Sequence, residues 1–167
     1  SAGRKVRRPE RLQFPLFVKS VVEDASLGIS QASIVRDDEA LVDRVKFVHE
    51  HTQSDALVEQ YIEGRELYVG VLGNHRLQTF PPWEMRFEKM PDNVAHIATR
   101  QVKWNRQYQE KYGITTEMAQ DLPLDAANRI ERHCKRVYRA LHMSGYARMD
   151  LRLREDGRIF VLEANGN

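Results

Sequence analysis

Residues 145–165 read GYARMDLRLREDGRIFVLEAN, with two apolar-rich runs on either side of Asp156-Gly157. An Asp-Gly pair between such runs predicts two antiparallel strands joined by a two-residue turn, because both turn positions need a positive φ. This turn places Asp150 directly opposite Glu163. Side chains in that position have Cβ atoms about 5 Å apart, and like charges there destabilise a sheet. The pair therefore indicates a cation between the two carboxylates, and oxygen ligands of this kind favour Mg²⁺ or Mn²⁺.

The same register places Arg148 opposite Asn165 and Leu153 opposite Phe160. Arg148 and Asn165 share a face with the two acidic residues, because side chains two positions apart along a strand point the same way. Mg²⁺ bound in this manner usually also holds substrate phosphates, so the hairpin predicts a site for metal and phosphate. A solvated edge hairpin with its charges directed into water explains the same pattern, and the hairpin alone leaves both interpretations open.

Composition limits the class of protein. The chain has 167 residues, of which 41% are hydrophobic and 30% charged, as is typical of one globular domain or two small lobes. A formal net charge of +2 gives no support for nucleic-acid binding, and no apolar run approaches the roughly 18 residues of a membrane span. Cys134 is the only cysteine, which excludes an intrachain disulfide and fits the reducing cytoplasm. Its helical spacing from Ile130 predicts a core thiol.

The first part of the chain predicts a small lobe preceded by a basic arm. Five arginines and lysines lie within residues 1–13, and this arm is predicted to be either a flexible solvated tail or a contact for an anionic partner. β-Branched and aromatic residues predict strands over residues 14–22, 31–36 and 56–62. Asp37 predicts the N-terminus of a helix that runs to about His51.

The second part predicts a larger lobe. A hairpin is predicted over residues 66–80 around Gly73-Asn74, and an amphipathic helix over residues 124–142. The inward positions of that helix are predicted to be Ala127, Ile130, Cys134, Val137 and Leu141. Residues 85–123 have weak periodicity apart from residues 97–102 and are predicted to form a long mobile loop with short inserts. Because the chain opens on a charged arm and stops just after its most site-like residues, we expect a fragment that is truncated at the C-terminus.

Hairpins separated by helices favour an α+β fold over a doubly wound α/β sheet. The predicted division falls near Gly64 and gives a small lobe over residues 14–64 and a large lobe over residues 65–167.

Lys19 lies within an otherwise apolar strand, where a lysine must reach solvent or meet an anion such as phosphate. The loop that follows, residues 23–30, contains Ser26 and consecutive backbone N–H groups, which are the ingredients of a phosphate cradle. No P-loop and no Gly-rich dinucleotide-binding motif occurs in the sequence. The six histidines lack the spacing of a zinc site, and there is no G-x-S-x-G elbow of a hydrolase.

Three further positions suit a nucleotide. The strand end at residues 59–62 offers backbone N–H and C=O groups to the edge of an adenine. Glu66, just past the turn at Gly64, has a carboxylate suited to ribose hydroxyls. Lys103, in the predicted loop, has the charge to neutralise a phosphate when that loop closes. For each position a solvated turn or loop is the alternative interpretation.

Taken in order, these motifs resemble those of the ATP-grasp superfamily, and of its D-alanine–D-alanine ligase-like branch, over residues 10–165. FPLFVK at residues 14–19 resembles the family's phosphate-lysine strand, and residues 23–30 resemble its loop over the triphosphate. LVEQYIEGRE at residues 57–66 resembles the segment that holds adenine and ribose. ARMD at residues 147–150 and LEAN at residues 162–165 resemble its two metal-binding strands.

The resemblance implies an ATP-grasp fold, in which two α+β lobes clasp a nucleotide between antiparallel sheets, without the N-terminal domain of such ligases. It implies that Lys19 binds the α- and β-phosphates and Lys103 the γ-phosphate of ATP. The other implied ATP ligands are Ser26, Glu59, Gln60, Tyr61, Ile62 and Glu66. Two Mg²⁺ ions would be coordinated by Asp150, Glu163 and Asn165. Arg148 would stabilise negative charge at the reacting phosphoryl and acyl centres.

The implied activity is an ATP-dependent ligation of a carboxylate to an amine through an acylphosphate, giving ADP and phosphate. The implied partners are ATP and small substrates of the amino acid or peptide class, with a homo-oligomer left open. One departure from the family is Asp24-Ala25, where the phosphate loop usually has Gly and often Ser. The alternatives are a non-catalytic ATP-binding regulatory module of the same fold and a nucleic-acid-binding domain with a basic arm.

Overall fold

The computed structural model describes residues 6–22, 28–123 and 125–166. The chain divides into two compact units. Unit 1 comprises residues 1–61 and 89–112, and unit 2 comprises residues 62–88 and 113–167. Each described unit contains antiparallel strands and helices, so the predicted α+β class is confirmed.

Unit 1 contains a three-stranded antiparallel sheet covered by one helix. The strands are β1 (Leu16–Ser20), β2 (Ile34–Val35) and β3 (Ala56–Gln60), in the order β2-β1-β3. Helix α1 (Asp38–Thr52) begins where the sequence predicted, because the Asp37 carboxylate accepts a hydrogen bond of 2.8 Å from the Ala40 N–H. The core between helix and sheet consists of Leu16, Val18, Val35, Leu41, Val45 and Val48.

Unit 2 contains the larger sheet, and its order is β7-β6-β4-β8-β9 with β5 paired to β4. The strands are β4 (Arg65–Leu72), β5 (Gln78–Thr79), β6 (Trp83–Phe87), β7 (Ile114–Met118), β8 (Tyr146–Leu153) and β9 (Ile159–Gly166). A helix, labelled α4 (Ala126–Ala140), packs on one face of this sheet. The core between them consists of Leu67, Val69, Val71, Ile130, Cys134, Tyr138, Ala147, Met149, Leu151 and Leu153.

The β8–β9 hairpin reaches its predicted site pairing by a different route. Its turn has three residues instead of two, since the Arg154 N–H donates to the Arg158 carbonyl at 3.0 Å and Gly157 has a φ of +76°. Leu153 therefore lies opposite Ile159, and the predicted pairing of Leu153 with Phe160 is wrong.

One extra residue in β9 then corrects the register. Leu151 pairs with Val161 and Asp150 with Glu163, so Leu162 forms a β-bulge. Beyond this bulge Asp150 lies opposite Glu163 and Arg148 opposite Asn165, as predicted.

The prediction of a long loop over residues 85–123 is wrong. This segment contains most of β6, two short helices, α2 (Arg100–Trp104) and α3 (Arg106–Tyr112), and β7. β6 and β7 form an antiparallel pair, with Trp83 opposite Met118 at one end and Phe87 opposite Ile114 at the other. Pairing between the two ends of the segment supplies the backbone hydrogen bonds that a loop would lack.

Smaller differences concern the ends of elements. Residues 31–33 form a 3-10 turn, so only Ile34–Val35 of the predicted second strand is extended. The pairing of β4 with β5 leaves residues 73–77 as a longer connection than Gly73-Asn74 alone. In α4 the buried face is Ala126, Ile130, Cys134 and Tyr138, whereas the predicted inward residues Ala127 and Leu141 are exposed.

The two units differ from the predicted lobes in two segments, residues 62–64, which belong to unit 2, and residues 89–112. Residues 89–112 group with unit 1, where the Gln31 side chain donates to the Ala95 carbonyl at 2.9 Å and accepts from the Ala95 N–H at 3.0 Å. The basic arm is also not a free tail in its described part, since Val6 and Leu12 pack against the unit 1 core. None of the helices in the described ranges combines the length and apolar content that crossing a membrane requires.

Candidate functional site

The polar face of the unit 2 sheet is the side of β4, β8 and β9 that lies away from α4. Alternation along the strands produces it, because Leu67 and Val69 of β4 and Met149 and Leu151 of β8 point into the core. The residues between them point the other way. We use the name polar face for Glu66, Tyr68, Arg148, Asp150, Arg152, Glu163 and Asn165.

Asp150 is 5% exposed and accepts both hydrogen bonds of the Arg148 guanidinium, at 2.7 and 2.9 Å. These hydrogen bonds raise the pKa of Arg148 above its ordinary value. Arg148 is half-exposed, and the negative charge of Glu163 also contributes to raising its pKa. Arg148 therefore supplies the positive charge that two opposed carboxylates need, and it occupies the oxygens that a metal ion would use.

The donor set of this part of the polar face fits Mg²⁺. Asp150 and Glu163 provide carboxylate oxygens, and Asn165 lies one step along β9 on the same face. The Asn165 amide nitrogen is buried and has no hydrogen-bond partner among the described residues. Within the described ranges no cluster of three His, Cys, Asp or Glu residues occurs. Two carboxylates and an amide are oxygen donors, which Mg²⁺ prefers and Zn²⁺ does not.

Glu66, predicted to face ribose, is held by two side chains of the polar face. Its Oε2 accepts from Arg152 Nη2 at 2.7 Å, and its Oε1 accepts from the Tyr68 hydroxyl at 2.7 Å. Burial, followed by the charge and hydrogen bond of Glu66, raises the pKa of Tyr68. Tyr68 therefore remains a neutral donor, and the Glu66 carboxylate lies in a fixed position.

Unit 1 brings together two of the residues predicted to bind ATP. Lys19 Nζ lies 2.8 Å from Glu59 Oε1 in an ion pair. Phe17 pairs with Glu59 and Lys19 with Leu57, so the ion pair runs diagonally between β1 and β3 on the face opposite Val18. Both side chains are partly exposed, which leaves the ammonium group accessible from solvent.

The strand end predicted for adenine is partly used within the fold. The Gln60 amide donates to the carbonyls of Gln13 and Pro15 at 2.7 and 3.0 Å. The Tyr61 N–H donates to the Pro15 carbonyl at 3.1 Å. Ile62 follows as the first residue of unit 2 and is partly buried.

Two predicted phosphate ligands have different outcomes. Lys103 does not lie in a loop but in the last turn of α2, whose first turn is capped by the Thr99 hydroxyl. It belongs to unit 1, as Lys19 does. Ser26 lies outside the described residues.

Sequence reasoning missed Tyr68 and Arg152. The signal was present, because Tyr68 is two residues after Glu66 and Arg152 two residues after Asp150, on strands whose side chains alternate. The pairing of β4 with β8 places Glu66 opposite Arg152 and Tyr68 opposite Asp150. This pairing joins segments far apart in the sequence, and the strand pattern alone does not specify it.

Solved structures resemble this chain in fold. D-alanine–D-alanine ligase from Bacillus anthracis, complexed with ATP, has a TM-score of 0.70 at 24% sequence identity, and the match covers 99% of this chain and 46% of that one. VanG D-Ala:D-Ser ligase from Enterococcus faecalis has a TM-score of 0.68 at 24% identity, over 93% and 41% of the two chains. The fold is therefore the ATP-grasp fold, as predicted.

The sequence specifies the family more closely. The family described as D-ala D-ala ligase C-terminus matches residues 4–167, and the chain belongs to that family. D-alanine–D-alanine ligase from Desulfotalea psychrophila is 34% identical over 160 residues, which cover 93% of this chain and 45% of that protein. The chain thus spans less than half the length of these relatives.

Proposed function

We propose that this chain binds Mg·ATP and forms the nucleotide-binding part of an ATP-dependent ligase that joins a carboxylate to an amine. The observation that carries the proposal is the pairing of Asp150 with Glu163, with Arg148 and Asn165 on the same face. Membership of the D-alanine–D-alanine ligase family supports it.

In unit 2, Asp150, Glu163 and Asn165 would hold two Mg²⁺ ions. Bound Mg²⁺ would neutralise the phosphate oxygens of ATP and so favour nucleophilic attack at the γ-phosphorus. Arg148 is hydrogen-bonded to Asp150 in the structure. A cation on the Asp150 carboxylate would compete with Arg148 for the same oxygens, and the guanidinium would then be available to stabilise negative charge at the reacting phosphoryl group.

In unit 1, Lys19 and Lys103 would bind phosphate oxygens of ATP. The ion pair with Glu59 directs the Lys19 ammonium along the surface of the sheet. We assign adenine to Glu59 and to the backbone of residues 60–62, ribose to Glu66, and a triphosphate contact to Ser26. The proposed lobes are residues 14–64 and 65–167, preceded by the arm of residues 1–13.

The proposed reaction has two steps. A carboxylate oxygen of the first substrate attacks the γ-phosphorus, the bond to the bridging oxygen of ADP breaks, and an acylphosphate forms. The amine nitrogen of the second substrate then attacks the acyl carbon, phosphate leaves, and the nitrogen loses a proton. Positioning and charge neutralisation by Arg148 and the two lysines contribute most of the acceleration, as in other phosphoryl transfers.

The substrates are proposed to be small amino acids. The similar proteins named above include D-alanine–D-alanine ligases and a D-Ala:D-Ser ligase, so D-alanine and D-serine are the first compounds to assay.

The test has two parts. Isothermal titration of the 167-residue chain with Mg²⁺ and a non-hydrolysable ATP analogue should give saturable binding that disappears with EDTA. The complete gene product should release phosphate from ATP only when a carboxylate and an amine substrate are both present. Binding without any phosphate release over a broad set of amino acids would favour the regulatory module, and absence of Mg-dependent nucleotide binding would refute the proposal.

A further inference from the structure

Arg152 is a buried arginine of the polar face, and its partners include Glu66 and the Gly64 carbonyl. Its Nη2 lies 2.7 Å from Glu66 Oε2, and its Nη1 donates to the Gly64 carbonyl at 2.8 Å. Its side chain is 4% exposed and that of Glu66 is 7% exposed. One planar guanidinium therefore joins a carboxylate at the start of β4 to a backbone carbonyl in the turn that precedes it.

Stability alone is a weak explanation for this arrangement. Taking two charges out of water costs free energy, and well-packed apolar residues often replace a buried ion pair without loss of stability. What the fork of an arginine provides is direction, because two N–H groups in one plane fix the positions of both acceptors. The contacts of Arg152 therefore indicate a need to hold Glu66 in one orientation.

The Glu66 carboxylate keeps capacity for a ligand. Each carboxylate oxygen can accept two hydrogen bonds. In the structure each accepts one from these side chains, Oε2 from Arg152 and Oε1 from Tyr68. A pair of neighbouring hydroxyl groups, as on a ribose, presents two donors at the spacing of a carboxylate.

The turn at Gly64 is fixed from its other side. Gly64 has a φ of +146°, and a Cβ at this position would clash with the Leu153 carbonyl oxygen. The Gly64 backbone therefore packs directly against β8.

We propose that Arg152 is a positioning residue for the nucleotide, which holds the Glu66 carboxylate in the orientation that accepts both ribose hydroxyls. This inference rests on the proposed binding of ATP. It assigns to Arg152 no contact with the nucleotide itself.

The experiment compares two nucleotides on the 167-residue chain in the presence of Mg²⁺. Dissociation constants are measured by titration calorimetry for ATP and for 2′,3′-dideoxy-ATP, which lacks both hydroxyls. The unsubstituted chain should prefer ATP by about tenfold or more, as expected for hydrogen bonds to a charged group. Arg152→Met should weaken ATP binding and leave dideoxy-ATP binding nearly unchanged, so that the preference falls to about twofold or less.

A second variant and a matched control complete the design. Arg152→Lys retains a cation beside Glu66, but a lysine has no planar fork to reach the Gly64 carbonyl as well. The logarithm of the ratio of the two dissociation constants should fall to half of its unsubstituted value or less. If Arg152→Met fails to fold, as judged by circular dichroism, Arg152→Lys decides the question. Arg154→Met makes the same change at a half-exposed arginine that pairs with Asp156 at 3.5 Å, and it should leave both constants unchanged.

The outcomes separate this inference from the proposed function. Folded Arg152 variants that keep the full preference for ATP would overturn the inference, as would an unsubstituted chain that binds both nucleotides equally. If the unsubstituted chain binds neither nucleotide with Mg²⁺, the proposed function itself fails.

Discussion

At the scale of single residues, the proposed function depends on two carboxylates facing each other across a strand pair. Asp150 and Glu163 are directly opposed, and Arg148 is the nearby charge that offsets them. Such a pair is unfavourable without a cation. We therefore expect the pair to serve cation binding more than the stability of the fold.

Substitution of Glu163 by glutamine tests this separation. Glu163→Gln should abolish Mg-dependent nucleotide binding, while the free energy of unfolding stays the same or rises by less than about 1 kcal/mol, because one of two opposed charges is removed. Titration calorimetry and urea denaturation provide the two measurements. Glu155→Gln, an exposed glutamate in the turn of the same hairpin, is the control and should change neither value. Strong destabilisation by Glu163→Gln would show that the carboxylate has a structural role.

Substitution of Lys19 tests the proposed phosphate contact in unit 1 by the same comparison of binding with stability. Lys19→Met should weaken binding of the ATP analogue by about tenfold or more, because a charge on phosphate is lost. The partly exposed ion pair with Glu59 contributes about 0–1 kcal/mol, so the thermal midpoint without nucleotide should change by only a few degrees. Lys46→Met on α1 is the matched control, since Lys46 is well exposed and only 3.9 Å from Asp43. Equal affinities for both variants would remove Lys19 from the phosphate site.

At the scale of elements, helix α4 buries the thiol of Cys134 in the core of unit 2, and this burial changes the acidity of the thiol. Burial raises the pKa of the Cys134 thiol to about 12. The thiol is therefore almost wholly protonated at about pH 8, and a disulfide reagent should label it slowly until denaturant unfolds the chain. Stoichiometric labelling of the native chain within seconds would contradict the buried position of Cys134.

The same raised pKa predicts a dependence of stability on pH. A folded pKa above the unfolded value of about 9 means that the contribution is complete below about pH 9 and is lost as pH rises towards 12. Relative to Cys134→Ala, the unsubstituted chain should lose about 2 kcal/mol of unfolding free energy between about pH 7.5 and about pH 10.5. Urea denaturation at the two pH values measures this difference, and a difference of zero would show that the thiol ionises freely.

The hairpin shows how far local pattern predicts an element. The sequence predicts two strands and the pairing of Asp150 with Glu163, but the turn has one residue more than predicted and Leu162 forms a bulge. The extra turn residue and the bulge offset each other, so the predicted pairing is correct at Asp150 and wrong at Leu153. Turn type depends on small free-energy differences between loops, whereas the register beyond the bulge is fixed by burial of Met149 and Ala164 against α4.

Residues 85–123 show where local pattern fails. α3 has no buried residue, and β7 buries only Ile114, so neither element carries the periodicity from which elements are predicted. The signals that remain are local caps, such as the hydrogen bond from the Val102 N–H to the Thr99 hydroxyl. Helix α2, which contains Lys103, has five residues and buries only Val102, so it too gives little periodicity and Lys103 was predicted to lie in a loop.

At the scale of the whole molecule, each unit has a core of its own. On the proposed function, Mg·ATP binds the native chain and not the unfolded chain, so it should raise the free energy of unfolding. At a concentration about 100 times the dissociation constant, Mg·ATP should add about 2.7 kcal/mol to the unfolding free energy. Differential scanning calorimetry should show a single transition moving upward with Mg·ATP and returning with EDTA. A shift that persists in EDTA would mean that the divalent ion is not required.

The most direct measurement is the anomalous scattering of Mn²⁺ in crystals of this chain grown with a non-hydrolysable ATP analogue. We predict manganese at about 2.2 Å from carboxylate oxygens of both Asp150 and Glu163, with the phosphates of the analogue completing the coordination. We also predict that Arg148 has left Asp150. Manganese bound elsewhere, with the pairing of Arg148 and Asp150 intact beside a bound nucleotide, would contradict the proposed metal site.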